Sequence, residues 1–240
     1  MFQTFFYQPV LNLLIFLYNI VPGNDLGLAI ILLTLIIKLL LLPLSKKSIK
    51  SQKELQDIQP KVEELKQKFK DNKEEMGRQM MALYKEHKVN PFSSCLPLLI
   101  QLPFLIAVFR VFRIGFSDST LDLVYPFITN PGHINQHAFG FIDLSTRNIP
   151  LAVLAGAAQF WQTKMMMTKK APIKTEGAKD ENMMAMMNKQ MLYMMPALTV
   201  FIGMTLPGGL TFYWFLTTLF TVFQQHYLFN KKDNPVVLKE

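Results

Sequence analysis

The sequence predicts an all-α polytopic membrane protein with a five-transmembrane-helix core and a cytoplasmic antiparallel helical hairpin. Three observations carry this. Half of the 240 residues are hydrophobic and only 18% are charged, against about 25% in a soluble domain. The charge is concentrated, since residues 45–90 hold 12 of the 25 Lys and Arg and 8 of the 17 Asp and Glu. The rest contains apolar runs near the roughly 20 residues that a bilayer-crossing helix needs. A soluble enzyme with one core is excluded, and so is disorder.

Residues 1–24 repeat Phe2, Phe5, Phe6, Val10, Leu13, Leu14 and Leu17 at helical spacing, with Gln3, Gln8, Asn12 and Asn19 between them. This reads as an amphipathic helix lying on the outer surface. A sixth span is the alternative. With no Lys or Arg in it, the segment has no basic region for a removable signal peptide.

The first span covers 25–44, and its apolar run from Leu26 to Leu44 carries one charge, Lys38. Residues 45–90 follow as the hairpin. Leu55, Ile58, Val62, Leu65 and Phe69 are spaced 3, 4, 3, 4, and Met76, Met80, Leu83 and His87 continue at 4, 3, 4. These are heptad stripes, which hide an apolar seam between two helices. Asp71-Asn72-Lys73 is the turn. Pro60 should kink the first helix or mark its start. The pair either simply joins two spans or serves as a docking arm. Asn90-Pro91 caps the next span, 91–114. Cys95 within it reads as a buried structural thiol, and a single cysteine excludes a disulfide framework.

An external loop, 115–148, leads to the third span, 149–167. A cytoplasmic Met-rich loop follows at 168–190, and ten of the 15 methionines fall within 165–195. Flexible thioethers suit a surface that accepts varied apolar partners, and they also suit an ordinary interface. Spans at 191–206 and 207–229 are joined by the Pro207-Gly208-Gly209 turn. A basic cytoplasmic tail, 230–240, ends the chain.

Orientation follows from Lys and Arg, which favour cytoplasmic loops. Residues 45–90 carry 12, 168–190 carry five, the tail carries three and 1–25 carry none. The loop 115–148 has Arg147 against Asp118, Asp122 and Asp143. The N-terminus is therefore expected outside and the C-terminus in the cytoplasm. The net charge of +8 is accounted for by topology rather than by nucleic-acid binding.

No nucleotide-binding P-loop, H-E-x-x-H motif or serine elbow occurs. His133 and His137 are four apart but flanked by loop residues, a weak pairing for a metal. No cofactor and no metal are expected. The informative residue is Lys38. Counted to the end of a helix at Leu44, it lies roughly 9 Å deep at 1.5 Å per residue, beyond comfortable snorkelling. A buried charge costs at least a few kcal/mol unless water or a partner meets it. A water-filled cavity open to the cytoplasm would meet it; a snorkelling lysine is the other reading. Gln101, Gln159, Gln162 and Trp214 are further polar groups in spans, and Leu33 is expected to face lipid.

The motifs run in a recognisable order. Gly27 to Thr34 leads into Lys38 and Leu39-Leu40-Leu41-Leu42-Pro43-Leu44. Gln59-Pro60-Lys61, Met81 to His87, Asn90-Pro91 and Cys95-Leu96-Pro97-Leu98-Leu99-Ile100-Gln101-Leu102-Pro103 follow. Phe141 to Leu144, Met195-Pro196 and Gly208-Gly209-Leu210-Thr211-Phe212-Tyr213-Trp214 complete the set. The chain resembles the YidC/Oxa1/Alb3 membrane protein insertases, in the short bacterial form without the large external domain. The resemblance implies a multi-pass protein of the bacterial inner membrane. It implies a hydrophilic, positively charged groove, open to cytoplasm and lipid, with Lys38, Gln101 and Trp214 at family groove positions. Gln159 joins them as a candidate groove residue. The implied partners are nascent membrane proteins, membrane lipids, the Sec translocon and the ribosome. Lys38 stands where relatives usually carry arginine, which keeps the charge but loses the fork of donors. Thr217-Thr218 stands where relatives often carry Ser-Asn. The expected function is insertion without nucleotide hydrolysis. A small-solute transporter or channel using Lys38 is the alternative, and the absent nucleophile speaks against an intramembrane protease.

Overall fold

The computed structural model describes residues 1–90, 96–166 and 179–230. Cys95, the Pro91 cap, residues 168–178 of the Met-rich loop and residues 231–240 of the tail lie outside them. The chain is mostly helical. A π-helical turn, Gln3–Tyr7, runs into α1, Gln8–Ile20. Then come α2, Leu26–Leu40, α3, Leu42–Lys68, and α4, Lys73–Glu86. Next are α5, Leu96–Ile114, and the short α6, Asp118–Leu121. A two-residue antiparallel pair, β1 (His137–Ala138) and β2 (Ile142–Asp143), precedes α7, Ile149–Met166. The last two helices are α8, Lys179–Gly203, and α9, Gly208–Asn230.

Among the described residues no single helix is long and apolar enough to cross a membrane by itself. The pair α2 and α3 passes together, bent by 69° between them. The 15 residues of α2 span roughly 22 Å at 1.5 Å each, short of a hydrocarbon core of about 30 Å. The bend has a local cause. Pro43 has no N–H to give the Leu39 carbonyl, and its ring crowds that carbonyl. Asp25 caps the other end of α2, accepting from the Leu28 N–H at 2.9 Å. The same carboxylate accepts from the Phe139 N–H, which pins the β hairpin to the start of α2.

The N-terminal helix packs Val10, Leu14 and Leu17 of its apolar stripe into the core, with Phe2, Phe6 and Leu13 against it. Leu11, Leu14 and Ile15 are fully buried, while Phe5, Phe16 and Ile20 are exposed. Its polar residues hold the 115–148 segment. Asn12 is buried, donates to the Leu123 carbonyl and accepts from the Tyr125 N–H. Gln8 donates to the same carbonyl, and Asn19 to that of Thr129. Burying an amide costs free energy unless it is paired, and loop carbonyls supply the pairing here.

The 115–148 segment is strapped at its far end too. The Gly208 and Gly209 N–H groups donate to the Thr146 and Leu144 carbonyls, both at 2.8 Å. Asp143 holds that turn through the Ser145 hydroxyl and N–H and the Thr146 hydroxyl. Those bonds, led by Ser145, keep its carboxyl below the usual carboxylate range.

Small residues bring α7, α8 and α9 together. A side chain at Gly156 would strike Val200, and one at Gly203 would crowd Ala152 of α7 and Thr211 of α9. Such close backbone approach is how apolar helices gain contact without a hydrophobic gradient. α3 runs unbroken through Pro60, so that proline does not mark its start. After a turn at 69–72, α4 begins at its cap Asn72, which accepts from the Glu75 N–H at 3.0 Å. Lys61 meets His87 at 3.2 Å, so α4 runs back along α3. Ile58 and Val62 are buried along α3.

Candidate functional site: a polar cavity at Lys38

Lys38 lies in the last turn of α2, two residues before the helix ends at Leu40. It is only 8% exposed, so the charge is held inside rather than displayed. Its Nζ donates to the Thr221 Oγ1 at 2.9 Å. That hydroxyl donates in turn to the Thr217 carbonyl at 2.9 Å, which leaves a lone pair free to face the ammonium. The C-terminal end of α2 also favours a cation, because the aligned peptide dipoles place partial negative charge there.

Beside Lys38 is a cavity of about 60 Å³, large enough to hold water. The bend at Pro43 folds α3 over it, and Ser45 and Gln52 line it from that side. Gln101 lines it from α5, Gln162 from α7, and Thr221, Gln224 and Gln225 from α9. Among the described residues no carboxylate lines it. Within that lining the positive charge is answered by hydroxyls and amides.

Gln101 donates to the Tyr213 hydroxyl at 2.7 Å, tying α5 to α9. Gln225 is 2% exposed, and its Oε1, like that of Gln224, is buried without a hydrogen-bond partner among the described residues. Toward the start of α2 the surroundings are apolar. Ile30, Leu33, Ala107 and Val108 are at most 1% exposed, and Thr34 satisfies itself on the Ile30 carbonyl at 2.7 Å. Leu33 thus belongs to the core rather than to a lipid-facing surface.

Of the sequence candidates, Lys38 and Gln101 come together at the cavity. Gln159 and Trp214 are partly buried and do not line it. Gln162, one turn beyond Gln159, does. Sequence reasoning missed Thr221, Gln224 and Gln225. A signal existed: Tyr213, Thr217, Thr221 and Gln224 fall at spacings of 4, 4 and 3 within an apolar run, one polar helix face.

A model of the 60Kd inner membrane protein family matches residues 16–235. The chain belongs to the 60Kd inner membrane protein family. This agrees with the resemblance to the YidC/Oxa1 proteins carried by the motifs. The chain is similar to the protein named membrane protein insertase YidC in Fusobacterium nucleatum. The two are 34% identical over 231 residues, 95% of this chain and 99% of that one. A protein of the same name in Clostridium tetani is 36% identical over 194 residues, 80% of this chain and 76% of that one. The one in Geotalea daltonii is 34% identical over 224 residues, 92% of this chain but only 36% of its own length. The chain therefore spans nearly all of some 60Kd inner membrane protein relatives and about a third of others.

Proposed function

We propose that the chain is a membrane protein insertase. It moves short polar segments of nascent membrane proteins across the bacterial inner membrane and releases their helices into lipid. The observation that carries this is the buried Lys38 in a cavity lined by hydroxyls and amides and, among the described residues, by no carboxylate. The names of the relatives support it.

The groove acts by solvation rather than by covalent chemistry. A polar segment in hydrocarbon costs several kcal/mol for each unpaired group. Groups lining the groove replace part of the lost water. Lys38 attracts acidic segments by Coulomb's law, most strongly where the surroundings are dry. A membrane potential positive outside draws the same segments outward. Apolar transfer into lipid, about 25 cal/mol per Å² buried, then drives release without nucleotide hydrolysis.

In this reading α2, α5, α7, α8 and α9 are the five spans. The N-terminus and 115–148 lie outside, and the α3–α4 arm, the Met-rich loop and the tail lie in the cytoplasm. The arm and tail are the surfaces offered to the ribosome, and the Sec translocon is a lateral neighbour. The test is purified protein in ATP-free liposomes with a single-span substrate bearing an acidic tail. Insertion without solute flux is expected. Solute flux without insertion would select a transporter instead.

A further inference from the structure

The cavity holds a second kind of group besides the cation. Gln224 and Gln225 both line it, and both Oε1 atoms are buried without a partner among the described residues. A buried carbonyl left unpaired is costly. Lys38 cannot relieve the matching cost of a substrate backbone, because an ammonium donates hydrogen bonds and accepts none. Every peptide unit except proline's brings an N–H as well as a carbonyl, and in a membrane-embedded groove each needs a partner. A groove with a cation alone would satisfy carboxylates and carbonyls and leave the N–H groups orphaned.

Resting on the insertase reading, we infer that Gln224 and Gln225 are a backbone-docking rung, accepting hydrogen bonds from peptide N–H groups of the substrate's polar segment. The ligand class is an extended polypeptide, gripped independently of its side chains. Spacing fits this. Gln225 is one turn beyond Thr221, roughly 6 Å along α9. Two residues of extended chain span roughly 6.6 Å. The register lets one segment meet the Lys38–Thr221 pair and the carboxamides together once the cavity of about 60 Å³ opens to admit it. Charge selection then belongs to Lys38, and sequence tolerance to the two glutamines.

The test uses the full chain in ATP-free liposomes and two synthetic single-span peptides. Their polar tails differ only in N-methylation at four backbone positions, and protein-free liposomes supply the background for each. The unmodified tail should be inserted about 2–10-fold faster than the methylated one, the worth of one typical hydrogen bond. In Gln224→Leu/Gln225→Leu the ratio should fall to about one, while the preference for acidic over neutral tails persists and reports an intact groove. An unchanged ratio in that variant, or a ratio near one in the unaltered chain, overturns the inference and leaves the insertase reading standing. Should the double variant not fold, Gln224→Met and Gln225→Met decide by the same ratio. Failure of the unaltered chain to insert either peptide would overturn the insertase reading together with this one.

Discussion

Lys38 is held in place by one neutral hydroxyl, and that makes its role separable from its burial. If its charge recruits acidic tails, Lys38→Arg should keep the preference and Lys38→Ala should lose it. Thr221→Val removes the acceptor while keeping the shape of the side chain. A hydrogen bond to a charged group is worth about 1.5–3 kcal/mol, so acidic-tail insertion should fall about 10–150-fold. Thr221→Ser should restore it. Neutral tails should be inserted at unchanged rates by Thr221→Val, because their transfer does not use the charge. Equal losses for both tails would mean that Thr221 only supports packing. At this scale the sequence exposed what was anomalous. A lysine and a glutamine in apolar runs announce themselves, and Lys38 and Gln101 do share the cavity. Threonines and paired glutamines near a helix end are ordinary residues, so Thr221, Gln224 and Gln225 did not stand out. The choice between Gln159 and Gln162 needs the rotation of α7, which is set by Gly156 meeting Val200 on α8. No local pattern on α7 encodes that partner.

Elements were legible where a period was sustained and illegible where one residue broke it. The heptad stripes of the arm mark which positions face inward, and Ile58 and Val62 are 7% and 6% exposed. Pro43 is the opposite case. It turns a nominal span of 25–44 into two helices bent by 69° and brings the helix end to within two residues of Lys38. The depth of that lysine below the helix end is thus roughly 3 Å at 1.5 Å per residue, far less than the sequence suggested. The arm's seam is itself testable. Val62→Asp buries an unpaired charge at a position 6% exposed and should cost about 2–3 kcal/mol of local stability. Protease added from the arm's side should then cut 45–90 at least tenfold faster, while the other helices stay protected. Met81→Asp, at a position 52% exposed, should leave the cutting rate unchanged. If Val62→Asp also leaves it unchanged, the seam does not hold the arm together.

The whole molecule is asymmetric along its helices, and the asymmetry bears on mechanism. At one end the 115–148 segment is strapped across α1, α2 and α9 by Asn12, Asn19, Asp25 and the Gly208–Gly209 amides. Beneath it lies a continuous apolar core that includes Leu14, Ile30, Val111 and Leu210. The polar cavity lies at the other end, where α2 stops and α3 folds over. A one-sided groove needs this arrangement, because a through-path would leak ions while substrates pass. Thiol labelling distinguishes the two. On a Cys95→Ala background, single cysteines at Lys38, Gln101 and Gln225 would be exposed to a charged, membrane-impermeant reagent from each side in turn. Only hydrated thiolate reacts, so labelling reports water at the side chain. The three should label from the side of the α3–α4 arm and not from the side of the 115–148 segment. A cysteine at Leu33, which is fully buried in the core, should label from neither. Labelling of Lys38→Cys from both sides would mean a channel, since only a continuous path wets one residue from each face. No labelling at any of the three would mean a dry cavity. The charge of Lys38 would then be met by Thr221 alone, and solvation of polar segments could not be the way the chain works.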